Sequence, residues 1–275
     1  MIRPVQTEFL FAVIGNPVRH SLSPKMMNAA FKAMGAPAVY LAFEVDGMES
    51  ALETFARMGF RGLSVTIPYK EDARRLAAEV DETAAAIGAV NTLRLREDGA
   101  WEGRNTDWLG VVRSLRAASS LQGKRALVIG AGGAARAVVY GLKREGAAVV
   151  VANRTAERGV SLASAFGCEF APLGALAGRD FDVVVQSTSV GLGGRGGFDA
   201  EFDPETLFRP GVVVLDIVYS PMWTPFLLSA KNAGCTVVHG LDMLLHQGVA
   251  QLEWWLEENA PVAVMDAALR GAASH

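Results

Sequence analysis

A glycine-rich turn between two apolar runs most constrains what this chain can fold into. The apolar run 126–129 ends in the pattern Gly130-x-Gly132-x-x-Ala135, and a helix-like segment leads from there to a second apolar run at 147–152. In such a strand–turn–helix–strand unit the glycines permit a tight turn and let backbone N–H groups approach a pyrophosphate at the helix N-terminus. The order predicts a dinucleotide-binding βαβ unit, although a glycine turn alone could merely connect tightly packed elements.

The residues after the second apolar run indicate which dinucleotide is bound. Sites for NAD usually place a carboxylate there to bind a ribose 2′-hydroxyl, whereas this chain has Asn153-Arg154-Thr155, with Arg158 one helical turn later. A cation suits a 2′-phosphate, so we predict NADP rather than NAD; the alternative is that Arg154 is only a solvated surface charge. The cofactor-binding residues predicted from this unit are Gly130, Ala131, Gly132, Gly133, Ala134, Asn153, Arg154, Thr155 and Arg158.

Bulk properties exclude several other classes of protein. The chain has 275 residues, a net charge of −3 and 51% hydrophobic residues, so neither a nucleic acid nor an anionic membrane is an expected partner. Its two cysteines, Cys168 and Cys235, are far apart in sequence and predict no metal site or redox pair. We find no signal-peptide pattern and no apolar segment long enough to span a bilayer, and therefore expect a cytoplasmic protein.

Alternating apolar runs and helical patterns predict two α/β domains. Candidate strands lie at 10–14, 39–44, 62–66, 91–95, 126–129, 147–152, 182–186, 211–216 and 235–238, and candidate helices at 24–34, 48–58, 71–78, 82–87, 133–145, 155–165 and 224–233, followed by a two-helix tail. We predict an N-terminal substrate domain with a mixed sheet, formed by 1–106 plus 241–275, and a Rossmann-type NADP-binding domain at 107–240. A cleft between the domains is the expected ligand site.

Polar residues follow several predicted strands of the first domain. Ser21 and Ser23 precede a helix and could present hydroxyls to an anionic ligand, but Ser23 as an N-cap before Pro24 would explain the pair equally well. Thr66 follows the third strand, where ligands of α/β proteins bind. Lys70 opens a helix, where the dipole disfavours a cation, which suggests a function beyond that of an exposed surface lysine.

Two further polar segments complete this set. Asn91 opens a strand and Asp107 opens a helix, and each could instead serve in a turn or cap. One lysine and one carboxylate among amides and hydroxyls suit recognition of a small polyhydroxylated substrate. Such a pair can donate and accept a proton at a carbonyl that undergoes hydride addition.

The whole chain resembles the shikimate dehydrogenase family. The resemblance rests on nine motifs in order: Gly15, His20, Ser21, Ser23 and Pro24; Val65, Thr66, Pro68 and Lys70; Gly88, Asn91 and Thr92; Asn105 to Asp107; Gly130 to Ala134; Asn153 to Thr155; Thr188, Ser189 and Gly191; Tyr219, Pro221, Thr224 and Pro225; Gly240, Met243, Leu244 and Gln247. It implies reversible NADP-dependent reduction of 3-dehydroshikimate to shikimate, a step of aromatic amino-acid biosynthesis.

The resemblance also implies roles for individual residues. Lys70 and Asp107 are expected to be the catalytic pair; Lys70 would act either with a tuned pKa or as a charged hydrogen-bond donor. The expected substrate contacts are Ser21 and Ser23 at the carboxylate, Thr66, Asn91, Asp107 and Gln247 at ring hydroxyls, and Tyr219 near the carboxylate end. Further cofactor contacts are expected at Thr188, Ile217 and Gly240.

The chain departs from the family pattern at several positions. Ser64 replaces a common Asn, Trp108 a common Gly, Gln186-Ser187 a common Asn-Ala, and His239 a common Asp. Trp108 would alter substrate preference if it pointed into the cleft, and would be ordinary core if it packed inward. A quinate or aminoshikimate dehydrogenase, using NADP or NAD, and a non-catalytic NADP-sensing protein therefore remain alternatives. The chain could be a monomer or a homodimer.

Overall fold

The computed structural model describes residues 9–194, 196–198 and 202–273 and divides the chain into two compact units. One unit comprises Met1–Thr106 with Gln247–His275, and the other comprises Asp107–His246. The later boundary therefore falls inside a continuous helix, Gly240–Leu256, and not at its start. The domain limits of 1–106 plus 241–275 and 107–240 stay a prediction.

The first unit is built on a mixed sheet. Its elements are β1 (Phe9–Gly15), α1 (Ser23–Met34), β2 (Ala38–Glu44), α2 (Met48–Arg57), β3 (Phe60–Val65), α3 (Lys70–Leu76), β4 (Glu79–Val80), α4 (Glu82–Ile87), β5 (Thr92–Leu95) and β6 (Trp101–Arg104). The strand order is β2-β1-β3-β5-β6-β4, with β5 antiparallel to both of its neighbours and the other pairs parallel.

Burial on both faces explains why β1 reads as an uninterrupted apolar run. Ala12 and Ile14 are fully buried in a core shared with α2 and β3. On the opposite face Phe11 lies against Phe31 and Trp255, with ring centroids 5.3 and 5.0 Å apart. Strands covered on both faces need apolar residues at every position, so β1 lacks the alternation of a half-exposed strand.

The second unit has the sheet of a doubly wound nucleotide-binding domain. Its elements are α5 (Asp107–Ala118), β7 (Arg125–Ile129), α6 (Gly133–Arg144), β8 (Ala148–Ala152), α7 (Ala156–Phe166), β9 (Glu169–Phe170), β10 (Val183–Gln186), β11 (Val213–Asp216), α8 (Pro225–Asn232), β12 (Thr236–Val238) and the first part of α9 (Gly240–Leu256). The parallel strands run in the order β12-β11-β10-β7-β8-β9, with an apolar core on each face. This is the dinucleotide-binding order, so the predicted class of two α/β folds is confirmed.

Among the described residues, three strands were not predicted from the sequence pattern, namely β4, β6 and β9. β4 and β9 have only two residues each, and β6 follows β5 through the exposed turn at 97–99. The C-terminal tail is helical as predicted: α9 leads to α10 (Val262–Ala273), which packs against α1. Within the described residues, no helix is both long and apolar enough to cross a membrane.

Candidate active site

One edge of the first unit's sheet gathers the polar residues predicted from the sequence. Ile14 of β1 pairs with Val65 of β3, and Ser64 pairs with Thr92 at the start of the antiparallel strand β5. Thr92 in turn pairs with Arg104 at the end of β6. The segments that follow β1, β3 and β6 and precede β5 therefore emerge at the same edge, where ligands of α/β sheets bind.

The loop after β1 presents the two predicted serines at the start of α1. Ser23 is the first residue of the helix, and Leu22 is its N-cap with helical dihedral angles. The backbone N–H of Ser23 donates to Ser21 Oγ at 3.3 Å. The alternative, that Ser23 is only the N-cap of the helix, was wrong, because the chain is already helical one residue earlier. Ser23 itself is buried and Ser21 half-buried.

The segment after β3 positions Thr66 and Lys70. Backbone hydrogen bonds join Thr66 N to Ile14 O at 3.0 Å and Tyr69 N to Thr66 O at 3.0 Å, while the Tyr69 hydroxyl donates to Val45 O at 2.7 Å. Lys70 is the first residue of α3, and its carbonyl accepts from Val90 N at 2.8 Å. Hydrogen bonds thus hold the backbone at Tyr69 and at Lys70, while the Lys70 side chain remains partly exposed to solvent.

Asn91 is the centre of a buried hydrogen-bond network. Its Oδ1 accepts from the backbone N–H of Thr106 at 2.7 Å and from the Thr92 hydroxyl at 2.8 Å. Its Nδ2 donates to Thr106 Oγ1 at 3.0 Å and to Gln247 Oε1 at 3.3 Å. Since Asp107 follows Thr106 directly, this network also fixes the chain at the start of α5, where Asp107 is 4% exposed.

The network extends to residues that the sequence did not single out. Gln251, one turn after Gln247 on α9, donates to Thr92 Oγ1 at 3.0 Å and accepts from Ser64 Oγ at 2.7 Å. Ser64 also accepts from the Tyr40 hydroxyl at 2.6 Å. Ser64, which replaces the asparagine common in the family, therefore belongs to a buried chain of hydrogen-bonded side chains. The four-residue spacing of Gln247 and Gln251, which places them on the same face of a helix, was the sequence signal that could have revealed Gln251.

We expect Gln251→Leu to lower the free energy of unfolding by about 1–3 kcal/mol, because it removes a hydrogen-bond partner from the buried hydroxyls of Ser64 and Thr92. Urea unfolding followed by circular dichroism measures the change. The matched control is an exposed glutamine, Gln122: Gln122→Leu is expected to change stability by less than about 0.5 kcal/mol. Equal stability of the two variants would show that the network contributes little.

In the second unit, the glycine turn after β7 has the geometry that a pyrophosphate requires. Gly130 has a φ of 124°, and a Cβ there would lie 2.6 Å from Ser187 Oγ, so only glycine fits. Gly132 is the N-cap of the twelve-residue helix α6 and has open space where a Cβ would point. The half-buried residues 131–134 thus leave room for an anion at a helix N-terminus, and the turn fits the phosphates of a dinucleotide.

The end of β8 places the predicted basic residues beside this turn. Asn153 Nδ2 donates to Thr155 O at 2.8 Å, which fixes the turn into α7, and Thr155 is the N-cap of that helix. Arg154 and Arg158 are both exposed; Arg154 precedes the N-cap of α7, and Arg158 lies in its first turn. The glycine turn follows β7, and the two arginines follow the neighbouring strand β8. An adenosine 2′-phosphate is expected at this position of a dinucleotide-binding domain.

The ends of β10 and β11 hold the remaining predicted cofactor residues. Thr188 follows β10, and its hydroxyl accepts from Val190 N at 3.1 Å. Ile217 follows β11, and a Cβ on Gly240 would lie 2.6 Å from its carbonyl oxygen, so these two backbones are in close contact. Tyr219, two residues beyond Ile217, is half-buried.

The other departures from the family pattern also have local partners. The Trp108 ring lies edge-on to Tyr140, with centroids 5.6 Å apart, and Arg144 lies 4.9 Å from its centre, so Trp108 packs against α6. Ser187 Oγ donates to Ile129 O at 2.7 Å. The His239 ring contacts Trp223 edge-on at 4.5 Å, and its Nδ1 lies 3.1 Å from Met222 O.

Asp216 at the end of β11 is a buried carboxyl group. Burial raises its pKa from 3.8 to about 7, while hydrogen bonds from Thr224 and the backbone of Val218 act in the opposite direction. No part of the predicted chemistry uses this group.

We expect the free energy of unfolding to fall as the pH rises from about 4 to about 7, because unfolded Asp216 loses its proton near its ordinary pKa while the native protein keeps it until about pH 7. The slope from this group is at most about 1.4 kcal/mol per pH unit. Urea unfolding at several pH values measures it, and Asp216→Asn should flatten the curve. Glu44 and Asp182 have lowered pKa values and affect stability in a different, more acidic pH range. The stabilisation from their ionised carboxylates is lost only as the pH falls through these lowered pKa values.

Comparison with known proteins identifies the family. Three family models match: the shikimate dehydrogenase substrate binding domain at 13–93, shikimate / quinate 5-dehydrogenase at 113–191, and the shikimate 5′-dehydrogenase C-terminal domain at 240–270. A curated relative from Syntrophobacter fumaroxidans, named shikimate dehydrogenase (NADP(+)), is 58% identical over 99% of this chain and 95% of its own length. The chain belongs to the shikimate dehydrogenase family. The family predicted from the nine motifs is thereby confirmed.

Solved structures of the family share the whole fold. The shikimate dehydrogenase of Aquifex aeolicus is 38% identical, with a TM-score of 0.89 over 98% of this chain and 100% of its own. The enzyme of Thermus thermophilus, solved in complex with NADP(H) and shikimate, is 37% identical, with a TM-score of 0.86 over 96% of this chain and 99% of its own. Both matches extend over nearly all of this chain.

Within each unit, the structure brings the predicted residues together. The first unit gathers Ser21, Ser23, Thr66, Lys70, Asn91 and Gln247 at or beside one sheet edge, and the second gathers the residues after β7, β8, β10 and β11. Their roles in binding and catalysis stay predictions.

Proposed function

We propose that this chain catalyses the reversible NADP-dependent reduction of 3-dehydroshikimate to shikimate. The observation that carries the proposal is the 58% identity, over almost the full length of both chains, to a relative named shikimate dehydrogenase (NADP(+)). The polar sheet edge with Lys70 and the glycine turn with Arg154 supply groups that fit such a substrate and such a cofactor.

The reduction adds a hydride to a carbonyl carbon and a proton to its oxygen, and bound NADPH supplies the hydride. Lys70 would hold the carbonyl oxygen through its Nζ and deliver the proton there, while in the reverse direction it would take the proton from the hydroxyl. Asp107 would accept a hydrogen bond from a neighbouring hydroxyl of the substrate. Its position directly after Thr106 supports this role, because the Asn91 network fixes that part of the backbone.

Substrate recognition would follow from the groups at the same edge. Ser21 and Ser23 would donate hydrogen bonds to the substrate carboxylate at the start of α1, where the helix dipole favours an anion. Thr66, Asn91 and Gln247 would bind ring hydroxyls, and Tyr219 would contribute at the carboxylate end. The bond between Asn91 and Gln247 supports a shared task, since it orients two amides together.

The second unit would bind NADP. Backbone groups of Gly130 to Ala134 would hold the pyrophosphate, and Arg154 and Arg158 the 2′-phosphate. Asn153 and Thr155 would shape the turn, and Thr188, Ile217 and Gly240 would lie on the nicotinamide side.

The direct test is product formation by the purified chain. Incubation with 3-dehydroshikimate and NADPH is expected to give shikimate, identified by chromatography, in amounts equal to the NADPH consumed. NADPH consumption without shikimate, or no consumption, would contradict the proposal.

Quinate is the second candidate substrate, because the family model that matches 113–191 covers shikimate and quinate dehydrogenases alike. Its ring carries one more hydroxyl and needs extra room near the carboxylate. A sensing protein without catalysis is less well supported, since it would have no use for the Lys70 and Asp107 pair.

A further inference from the structure

A buried carboxyl group ties three segments of the second unit together. Asp216 is fully buried at the end of β11. Its Oδ1 accepts from the backbone N–H of Val218 at 2.9 Å and from Gln186 Nε2 at 3.2 Å, and its Oδ2 accepts from the Thr224 hydroxyl at 2.7 Å. These donors come from the end of β10, the turn after β11 and the start of α8, so one side chain fixes all three.

Gln186 extends this connection to the loop after β10. Its Nε2 also donates to Val190 O at 2.9 Å, and its Oε1 accepts from the backbone N–H of Thr188. A backbone hydrogen bond from Gly193 N to Ser220 O at 2.8 Å joins the two loops a second time. The loops 187–194 and 217–224 are thus held together by a buried polar chain, with Asp216 and Gln186 at its centre.

The strand order shows which half of a dinucleotide these loops face. In a doubly wound sheet the cofactor lies across the carboxyl ends of the strands, with one mononucleotide half on each side of the first strand. Here β7 is that strand, and Arg154 marks the β8 side as the adenosine side. The nicotinamide half would then lie on the β10–β11 side, beside Ile217.

Ile217 is the residue that the network positions most tightly. It lies at the apex of the turn closed by the bond from Val218 N to Asp216. Its own N–H donates to Gln186 O at 3.0 Å, and its carbonyl is in close contact with Gly240. A change at Asp216 would therefore reach Ile217 through the turn that this bond closes, whereas Arg154 follows β8, on the other side of β7.

We propose that Asp216 is a positioning residue for hydride transfer, which acts through Gln186 and Ile217 to hold the nicotinamide half of the cofactor. This inference rests on the proposed function. Asp216 touches neither substrate nor cofactor, and its effect is on the alignment of the reacting groups. The predicted 2′-phosphate contact, Arg154, lies beyond β8 on the other side of β7 from Asp216.

The test compares Asp216→Ala, which removes all three hydrogen bonds to this side chain, with wild type. Since a misplacement of about 1 Å can cost about 100-fold in rate, we expect kcat to fall by about 10–100-fold. The isotope effect measured with NADPH deuterated at the transferred position should increase, because hydride transfer becomes slower than the other steps. The Kd of 2′,5′-ADP, which carries the 2′-phosphate but no nicotinamide, should stay within about twofold.

Asp182→Ala is the matched control. Asp182 lies just before β10, at the opposite end of that strand, and accepts from Arg125 N at 2.8 Å. This variant should keep the kcat and isotope effect of wild type. If Asp216→Ala does not fold, Gln186→Met replaces it, because it removes the link between the loops and leaves the carboxyl group in place.

A wild-type kcat and isotope effect in Asp216→Ala, or in Gln186→Met where that variant replaces it, would overturn the inference. A Kd for 2′,5′-ADP that rises as much as kcat falls would overturn it too, since that result indicates general disruption of the unit. Failure of the proposed function is a different result: wild type itself would form no shikimate, which would overturn both.

Discussion

Replacing Lys70 with alanine is expected to lower kcat for 3-dehydroshikimate reduction by about 10²–10⁴-fold, the usual contribution of a positioned proton donor. The backbone of Lys70 is held by Val90, and its side chain is partly exposed at the polar edge of the sheet. The loss should therefore fall on the chemical step. The Kd of NADPH, measured by fluorescence titration, should change by less than about twofold, because the predicted cofactor residues belong to the other unit.

Lys32→Ala is the matched control, since Lys32 is an exposed lysine in the last turn of α1. It should retain the wild-type kcat. A Lys70→Ala variant with a rate near that of wild type would remove Lys70 from the mechanism. A loss confined to KM would assign it to substrate binding alone.

Replacing Arg154 with alanine is expected to raise the Kd of NADP by about 10–100-fold, the value of a hydrogen bond between charged groups. The Kd of NAD should stay within about twofold, because NAD has a hydroxyl where NADP has the 2′-phosphate. Arg154 is exposed at the end of β8, so its removal should leave the fold intact. Isothermal titration with each cofactor measures the two constants.

Arg113→Ala serves as the control for this variant, since Arg113 is an exposed arginine on α5 of the same unit. It should bind both cofactors as wild type does. Equal losses of NADP and NAD affinity in Arg154→Ala would contradict the assignment of Arg154 to the 2′-phosphate.

Much of the fold followed from local sequence patterns. The apolar runs that became β1 and β7 are covered on both faces, and such strands are readable because every position is apolar. The two-residue strands β4 and β9 left no period to detect, since two residues cannot show an alternation. The N-cap at α1 was misplaced by one residue because capping depends on backbone dihedral angles that a serine does not dictate.

The site was predictable where its residues border a strand, as Thr66 and Asn91 do. Gln251 and Tyr40 were missed because their partners lie far away in the sequence: Ser64 and Gln251 are 187 residues apart. Asp216 was missed for the same reason, since Gln186 is 30 residues from it and a predicted strand order does not show which side chains of two neighbouring strands bond to each other. Side-chain networks of this kind depend on strand order, which local periodicity does not contain.

The most direct test of the central claim is a rate comparison with shikimate and quinate, each with NADP and NAD, followed by the absorbance of the reduced cofactor. The account predicts the highest kcat/KM for shikimate with NADP, exceeding the other combinations by about 10-fold or more. A higher kcat/KM for quinate, or for NAD with either substrate, would contradict it.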